Sequence, residues 1–486
     1  MSITAALSNA LTGLRASSRE AELVSDNVAN ALTPGYTRRV AELSANVVDG
    51  RGTGVEVSAI RLASDPITLA ERRRSDAALG AQDTLVNSLA RISDRFGDPS
   101  EGTALASRLA EFEQALLASS NDPVSETNLT NVLSSAKQIT ATLDTLAQEV
   151  QSARMDADSD IANQVDTLNA SLASIETLNR EIRSRTLAGG DTAALLDQRK
   201  AQIDSIATIV PVRTVPREDG TVALYTKGGA TLIDGPASEF EFTATPLITQ
   251  GMSLANGALS GLTLNGRAVD IGNGAGILEG GSLAQLFDLR DNRLPEIANQ
   301  LDGMAFEVAS RFQDSAVDPT IAVGAGGLFT DGGTAVSAVT IEGLAGRLSV
   351  SAQVDPDQGG ELYRLRVGLY AAAPGDSGDS TILSALYGAA IDPRVPNAGL
   401  GLLGANGLSG LAAGLTSQIS GDAARAEEEQ SYLAALNTEL RDTESGSTGV
   451  NTDTELQRLL LVEQSYAANA RVITVADQLI RRLLEI

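Results

Sequence analysis

A chain of 486 residues exceeds what one hydrophobic core sustains, so two or three domains are expected. It has no Cys and no His, which removes disulfides, thiolate chemistry, imidazole metal ligands and the commonest general base. A formal charge of -26 excludes the dense basic surface that nucleic acid or an anionic membrane requires, and with aromatics at 3% the cores must be built from Ala, Leu, Ile and Val.

Leu7, Ala10, Leu14, Ser17, Ala21, Val24, Val28 and Ala31 step by three and four, which predicts an amphipathic helix over 5–32. Thr33-Pro34-Gly35-Tyr36-Thr37 ends it, since Pro34 drives its predecessor out of the α region and Gly35 supplies turn freedom. Residues 38–61 read as β or irregular structure. From 67 to 210 the pattern is helical. Leu105, Leu109, Phe112 and Leu116 mark one helix, broken at Asn121-Asp122-Pro123. Leu129, Val132, Ala136, Ile139, Leu143, Leu146, Val150 and Ala153 form a rod-like helix, and Ile161, Val165, Leu168, Leu172, Ile175 and Ile182 a second, each roughly 40 Å long.

Near Val210 the pattern turns to short strands, such as Val222–Tyr225 and Leu259–Leu264, the latter followed by the hairpin turn Asn265-Gly266. Ser282 with Gln285 reads as a capping box, Pro295 as a break or restart, and Ile297, Leu301, Met304 and Val308 as the next stripe. Strand-like pieces at 338–341, 347–354 and 361–371 suggest a small inserted β domain. Helices resume over 411–441, a polar link covers 444–448, and Thr452 with Glu455 forms a capping box opening the last helix. On that helix, over 454–484, Leu459, Val462, Tyr466, Asn469, Ile473, Ala476, Ile480 and Leu483 make a stripe with one polar seat, a device that costs stability but fixes register.

The fold class read from these elements is mainly α with inserted β: long coiled-coil-like terminal helices, a helical rod domain and small β portions in the middle. The domains expected are 1–35 with 450–486, a rod of 36–315 with 405–449 carrying β structure near 210–280, and a β-rich outer part over 316–404. Each terminal stripe is too narrow and too rich in small residues to stand alone, so Leu7, Leu14, Val24, Val28, Leu459, Val462, Tyr466, Ile473, Ile480 and Leu483 are the expected assembly interface. Packing of the two ends as an ordinary intramolecular hairpin satisfies the periodicity equally well.

No catalytic residue, metal ligand or cofactor site stands out. Gly272-Asn-Gly274-Ala-Gly276 lacks the residues of a phosphate-binding loop, and Asp355-Pro-Asp357-Gln-Gly359-Gly360 begins like a calcium loop but has Arg366 where the bidentate Glu belongs. Neither an apolar run long enough to span a membrane nor a cleavable signal peptide is read, since Met1–Ala16 lacks a basic start and a continuous apolar centre.

Three groups of residues carry a resemblance. Asn27-Val-Ala-Asn30 with Thr33-Pro34-Gly35-Tyr36 and Arg38 resembles the N-terminal signature of bacterial flagellar axial proteins. Val450-Asn451, Glu455-Leu456, Glu463-Gln464-Ser-Tyr466-Ala-Ala-Asn-Ala470-Arg471-Val-Ile473 and Asp477 resemble their C-terminal signature. Leu195-Leu-Asp-Gln198-Arg199, Asp219-Gly220-Thr, Lys227-Gly228-Gly229, Leu289-Arg290-Asp291 with Leu294-Pro295, Leu301-Asp302 and Gly327-Leu328-Phe329 resemble the hook-filament junction branch of that family. Departures are Asp453-Thr454-Glu455, where two adjacent acids are usual, and Asn469, where a smaller polar residue is usual.

The resemblance implies a structural subunit joining hook to filament, not an enzyme, extracellular and exported through the flagellar type III channel without a cleaved signal. It also implies a ring of identical copies contacting the hook protein, a second junction protein and an export chaperone, with no nucleic-acid partner and no membrane insertion. Another axial protein, such as a hook subunit or the second junction protein, is the alternative, and an adhesin or surface enzyme a more distant one. From the residues alone, Asn27 and Asn30 read as helix C-caps, Pro34–Tyr36 as a turn, and Arg290 with Asp291 as a salt bridge at a helix junction.

Overall fold

The computed structural model describes residues 3–484 apart from 49–50, 99–101, 272–275, 277, 397–400 and 403, so the glycine-rich stretch lies largely outside the described residues. Helix α1 (Ile3–Ala29) is followed by an antiparallel hairpin of β1 (Arg39–Val48) and β2 (Arg51–Leu62). Helix α2 (Pro66–Phe96) starts under an Asp65 cap whose carboxylate accepts from the amides of Ile67 and Thr68, with Pro66 in the first turn where its missing N–H costs nothing. Helix α3 (Leu105–Asn121) ends before Pro123, and Ser125 caps α4 (Glu126–Leu187).

Helix α4 is one unbroken element of 62 residues, about 90 Å long, and not the two helices read from its stripes. Nothing between 126 and 187 is Gly or Pro, and the buried row continues through Ala153, Ala157 and Ile161. Buried Arg154 and Asp158 interrupt the apolar pattern there without interrupting the helix. Helix α5 (Ala193–Ala207) folds back along α4.

Two three-stranded antiparallel sheets follow. The first joins β3 (Val212–Pro216), β4 (Val222–Thr226) and β5 (Thr231–Ile233); the second joins β6 (Phe240–Glu241), β7 (Thr263–Leu264) and β8 (Arg267–Ala268). Asn265 and Gly266, at φ 51 and 73, make the expected turn between β7 and β8.

At α6 (Gly281–Asp288) the expected capping box does not form. The backbone N–H of Ser282 donates to the Thr208 carbonyl at 3.0 Å and its hydroxyl to Gln164 at 2.9 Å. Gly281 permits that approach, because a Cβ there would lie 2.2 Å from the Ile209 oxygen. A π-helical turn at Leu289–Arg293 leads into α7 (Leu294–Phe312), whose first turn holds Pro295; the lost N–H explains why the helix loosens and restarts there.

Among the described residues of 316–404 the strands are limited to the pair β9 (Phe329–Asp331) and β10 (Leu348–Val350). Residues 338–341 and most of 351–371 form turns rather than strands, the exceptions being a 3-10 turn at Pro356–Gln358 and the short α8 (Arg364–Val367), and an unanticipated helix, α9, spans Thr381–Ile391. Carboxylates replace the ladder: Asp302 accepts from the amides of Gly343 and Ala345 at 2.8 and 2.9 Å, and Asp318 from those of Thr320 and Leu369 at 2.9 and 2.8 Å. Lys137 binds Asp355 and Asp357 at 2.8 and 3.2 Å, so an ammonium stands against the calcium-loop-like turn. Phe112, Phe312 and Phe329 meet at centroid distances of 5.6 to 5.8 Å, which places α3, α7 and β9 in one core.

Helix α10 (Leu408–Thr448) returns along α2, and α11 (Thr452–Leu484) pairs with α1. The expected link at 444–448 is helical, with the Ser447 and Thr448 hydroxyls donating to the Glu444 carbonyl at 2.9 and 2.8 Å. The cap of α11 is Asn451, which accepts from the Thr454 amide at 3.0 Å; Glu455 turns inward and takes no part in a capping box. Among the described residues no helix is long and apolar enough to cross a membrane, and no group of three or more acidic residues is placed to hold a metal.

Candidate assembly interface

The seam between α1 and α11 is built from small residues. Ala10, Gly13, Ala16, Ser17, Leu23, Val24 and Asn27 are buried on α1, and Glu455, Val462 and Ala476 on α11. Of the residues expected at the interface, Val24 and Val462 are buried and Leu7, Leu14, Val28, Leu459, Ile473 and Ile480 are half-buried. Tyr466 and Leu483 instead face solvent, 45% and 62% exposed.

Four residues buried on α1 fell outside the predicted stripe: Gly13, Ala16, Leu23 and Asn27. Helix α1 is covered on two sides, since the β1–β2 hairpin also packs on it. There the Thr12 hydroxyl accepts from the Val55 amide at 3.3 Å, beside Gly54, which at φ 116 brings backbone within reach. The legible signal was the spacing of small residues at Ala10, Gly13 and Ala16, which permits close helix approach.

Asn469, the polar seat of α11, lies over Gly13: a Cβ on that glycine would be 2.7 Å from the Asn469 Nδ2. Gly13→Leu is therefore expected to separate the helices at a cost of about 1–3 kcal/mol. Limited proteolysis of the full chain checks this: cleavage within 3–29 and 452–484 should accelerate, and an unchanged rate would contradict the close approach. Register is further held by Ser17 donating to Ser465 at 3.3 Å and by the pair Arg458–Glu20 at 3.7 Å.

At the base of the pair the N-terminal motif becomes a knot. The buried Asn27 amide donates to the Arg39 carbonyl at 2.9 Å and to the Glu455 carboxylate at 3.1 Å. Its oxygen accepts from the Tyr36 hydroxyl and the Arg39 amide, both at 2.9 Å. Asn27 is thus a tertiary cross-link and not a helix C-cap, whereas Asn30 does cap, donating to the Asp26 carbonyl at 2.9 Å and accepting from Thr33 at 3.2 Å. Thr33 to Tyr36 close a turn, the Tyr36 amide donating to the Thr33 carbonyl at 3.2 Å, with Pro34 and then Gly35 at φ 79 in its centre. The Arg39 guanidinium lies 5.0 Å from the Tyr36 ring centroid, and burial holds the Tyr36 hydroxyl above its ordinary pKa, so it stays a donor.

Arg290 is fully buried in the π-helical turn. It pairs with Asp158 at 2.7 Å and through two nitrogens with Asp291 at 2.8 Å, and lies over Phe287 and Phe242 at 4.9 and 5.6 Å. Burial opposes its charge, but the two carboxylates raise its pKa overall. Arg154 donates to the carbonyls of Arg290 and Met252 at 2.8 and 2.6 Å; desolvation lowers its pKa. This cluster lies among the body elements α4, α6 and α7, apart from the terminal seam.

Helix α11 also carries apolar residues beside the seam, on its solvent side. Leu461, Val472, Val475 and Leu479 are exposed, the last three lining a shallow groove with Ile3 and Ala6; Leu456 and Leu460 are exposed as well.

Paired N- and C-terminal helices closed by such a knot are thus carried on a helical body. By sequence the chain is similar to flagellar hook-associated protein 1. The family model described as "Flagellar hook-associated protein FlgK helical domain" matches residues 89–316, and "Flagellar basal body rod FlgEFG protein C-terminal" matches 446–486. The flagellar hook-associated protein 1 of Bacillus subtilis is 22% identical over 98% of this chain and 97% of its own length. That of Salmonella typhimurium is 25% identical over 63% of this chain and 55% of its own length. A solved structure of the flagellar hook junction protein FlgK from Burkholderia pseudomallei superposes at a TM-score of 0.44 with 19% identity, covering 54% of this chain and 47% of that one.

Proposed function

We propose that this chain is a structural subunit of the bacterial flagellum that joins hook to filament, assembling as a ring of identical copies through its terminal helices. The observation that carries this reading is the two-sided character of α11: one face packs on α1 while a second apolar row stays open to solvent. A helix with three buried side chains in 33 residues gains little from its own partner, and a neighbouring copy that covers the second row supplies the rest. Charge favours the same arrangement. Helices α1 and α11 together carry six Arg against seven acidic residues, leaving almost all of the -26 on the remainder, so terminal pairs can pack without strong mutual repulsion.

The hook protein on one side and a second junction protein on the other are the proposed neighbours, with an export chaperone before assembly and location outside the cell. Residues 1–35 with 450–486 form the axial part of this proposal, 36–315 with 405–449 the rod, and 316–404 the outer part. The match of the helical-domain model over 89–316 favours a junction protein over a hook subunit.

Deletion of the gene tests the reading. Cells should make complete hooks and lose filament subunits to the medium; filaments that remain attached to those hooks would overturn it.

A further inference from the structure

Residues 445–448, Ser-Gly-Ser-Thr, are weak helix formers, yet α10 runs through them to its end. The anchor lies one residue earlier. Glu444 is 7% exposed, with one carboxylate oxygen 2.6 Å from Arg72 Nε on α2 and the other 2.9 Å from Lys200 Nζ on α5. Arg72 in turn pairs with Asp76 at 2.5 Å and Asp204 at 2.7 Å, and Asp204 also holds Arg73 at 2.7 Å. Asp76 accepts from Asn437 at 2.8 Å and pairs with Arg441 at 2.7 Å, which ties two further residues of α10 to α2.

One turn beyond Glu444, the Thr448 carbonyl accepts from the Arg38 amide at 2.9 Å, and the Arg38 carbonyl accepts from the Ala63 amide at 2.8 Å. The next residue, Arg39, is bound to Asn27 in the knot. The three chain segments that connect terminal helices, hairpin and body are therefore stitched together at Arg38; one link to the body passes through the last turn of α10, beside that of Thr37 to Asp197 on α5.

We propose that Glu444, clamped between Arg72 and Lys200, is the positioning residue that fixes the joint between the helical body and the terminal helix pair. Without the clamp, the Ser-Gly-Ser-Thr turn reverts to the flexible link its composition favours, the Thr448 carbonyl moves away from Arg38, and the terminal pair loses its fixed direction. The geometry stands without the junction reading; only its use, giving every copy in a ring the same angle, rests on that reading.

Hydrogen exchange on the full chain tests this through the amides of Arg38, Arg39 and Gly449. Glu444→Gln keeps the side-chain volume and removes the charge. Exchange at Arg38 and Gly449 should accelerate about tenfold or more, while amides of α4 between Ile139 and Ile175 stay within about twofold of the wild type. Lys200→Met, at a partly exposed position, should give a smaller acceleration at the same amides, and Lys200→Arg should restore protection. It is the deciding variant if Glu444→Gln does not fold. Unchanged exchange at 445–451, or equal acceleration throughout α4, would overturn the proposal. Protection of Arg38 and Gly449 that depends on Glu444 supports the clamp even where the Arg39 amide is open in the wild type; that pattern would instead count against an ordered terminal pair in the free subunit.

Discussion

Ile473→Asp is expected to abolish the proposed assembly while leaving the helical body folded. Ile473 is half-buried in the seam with α1, on a helix with only three buried side chains in all. Placing a carboxylate there without a partner costs on the order of 3 kcal/mol, which a helix pair with so little buried surface cannot absorb. Once the pair opens, the exposed row of Leu461, Val472, Val475 and Leu479 is no longer presented as a surface to a neighbour. The body is insulated from the change, because its core lies among α2, α3, α4, α7 and α10. Electron microscopy of hooks incubated with the variant reads assembly, and circular dichroism melting reads the body. Normal junctions formed by the variant would remove the role given to the seam.

Arg290→Met should produce the largest loss of stability in the body, about 3–5 kcal/mol, because it leaves the Asp158 carboxylate buried without its cation. Asp158 is 1% exposed, and apart from Arg290 it accepts, among the described residues, only the Thr245 amide, at 2.6 Å. Against a total stability of about 5–15 kcal/mol, such a loss is a large fraction of the whole. Urea titration measures it. Adding Asp158→Asn to Arg290→Met should recover part of the loss, since the uncompensated charge rather than the missing packing dominates. A loss below about 1 kcal/mol would mean that the buried pair of Arg290 with Asp158 is not what holds the turn.

The terminal helices were legible because their stripes keep a helical period, and α3 because Asn121-Asp122-Pro123 punctuates it. The continuity of α4 was hidden by Arg154 and Asp158, charged residues that are buried for tertiary reasons and so break an apolar count without breaking a helix. Residues 338–341 and 361–371 have strand-like composition, but local periodicity does not register that distant carboxylates such as Asp302 and Asp318 take up loop amides. Glu455 read as a capping residue because its partner Asn27 lies 428 positions away. At the candidate interface, periodicity found most of the seam but not Gly13, whose contribution is an absent side chain, and placed Tyr466 in a seam from which it is turned away.

Helix α4 carries a mechanical implication. A continuous hydrogen-bonded rod of 62 residues has high bending stiffness, and most elements of the body pack on it. Load delivered at the terminal end of the molecule is therefore poorly absorbed along the body. Through the clamped joint formed by 30–38, 63–65 and 449–451, such load passes into a body that bends little, as into a strut held at one end.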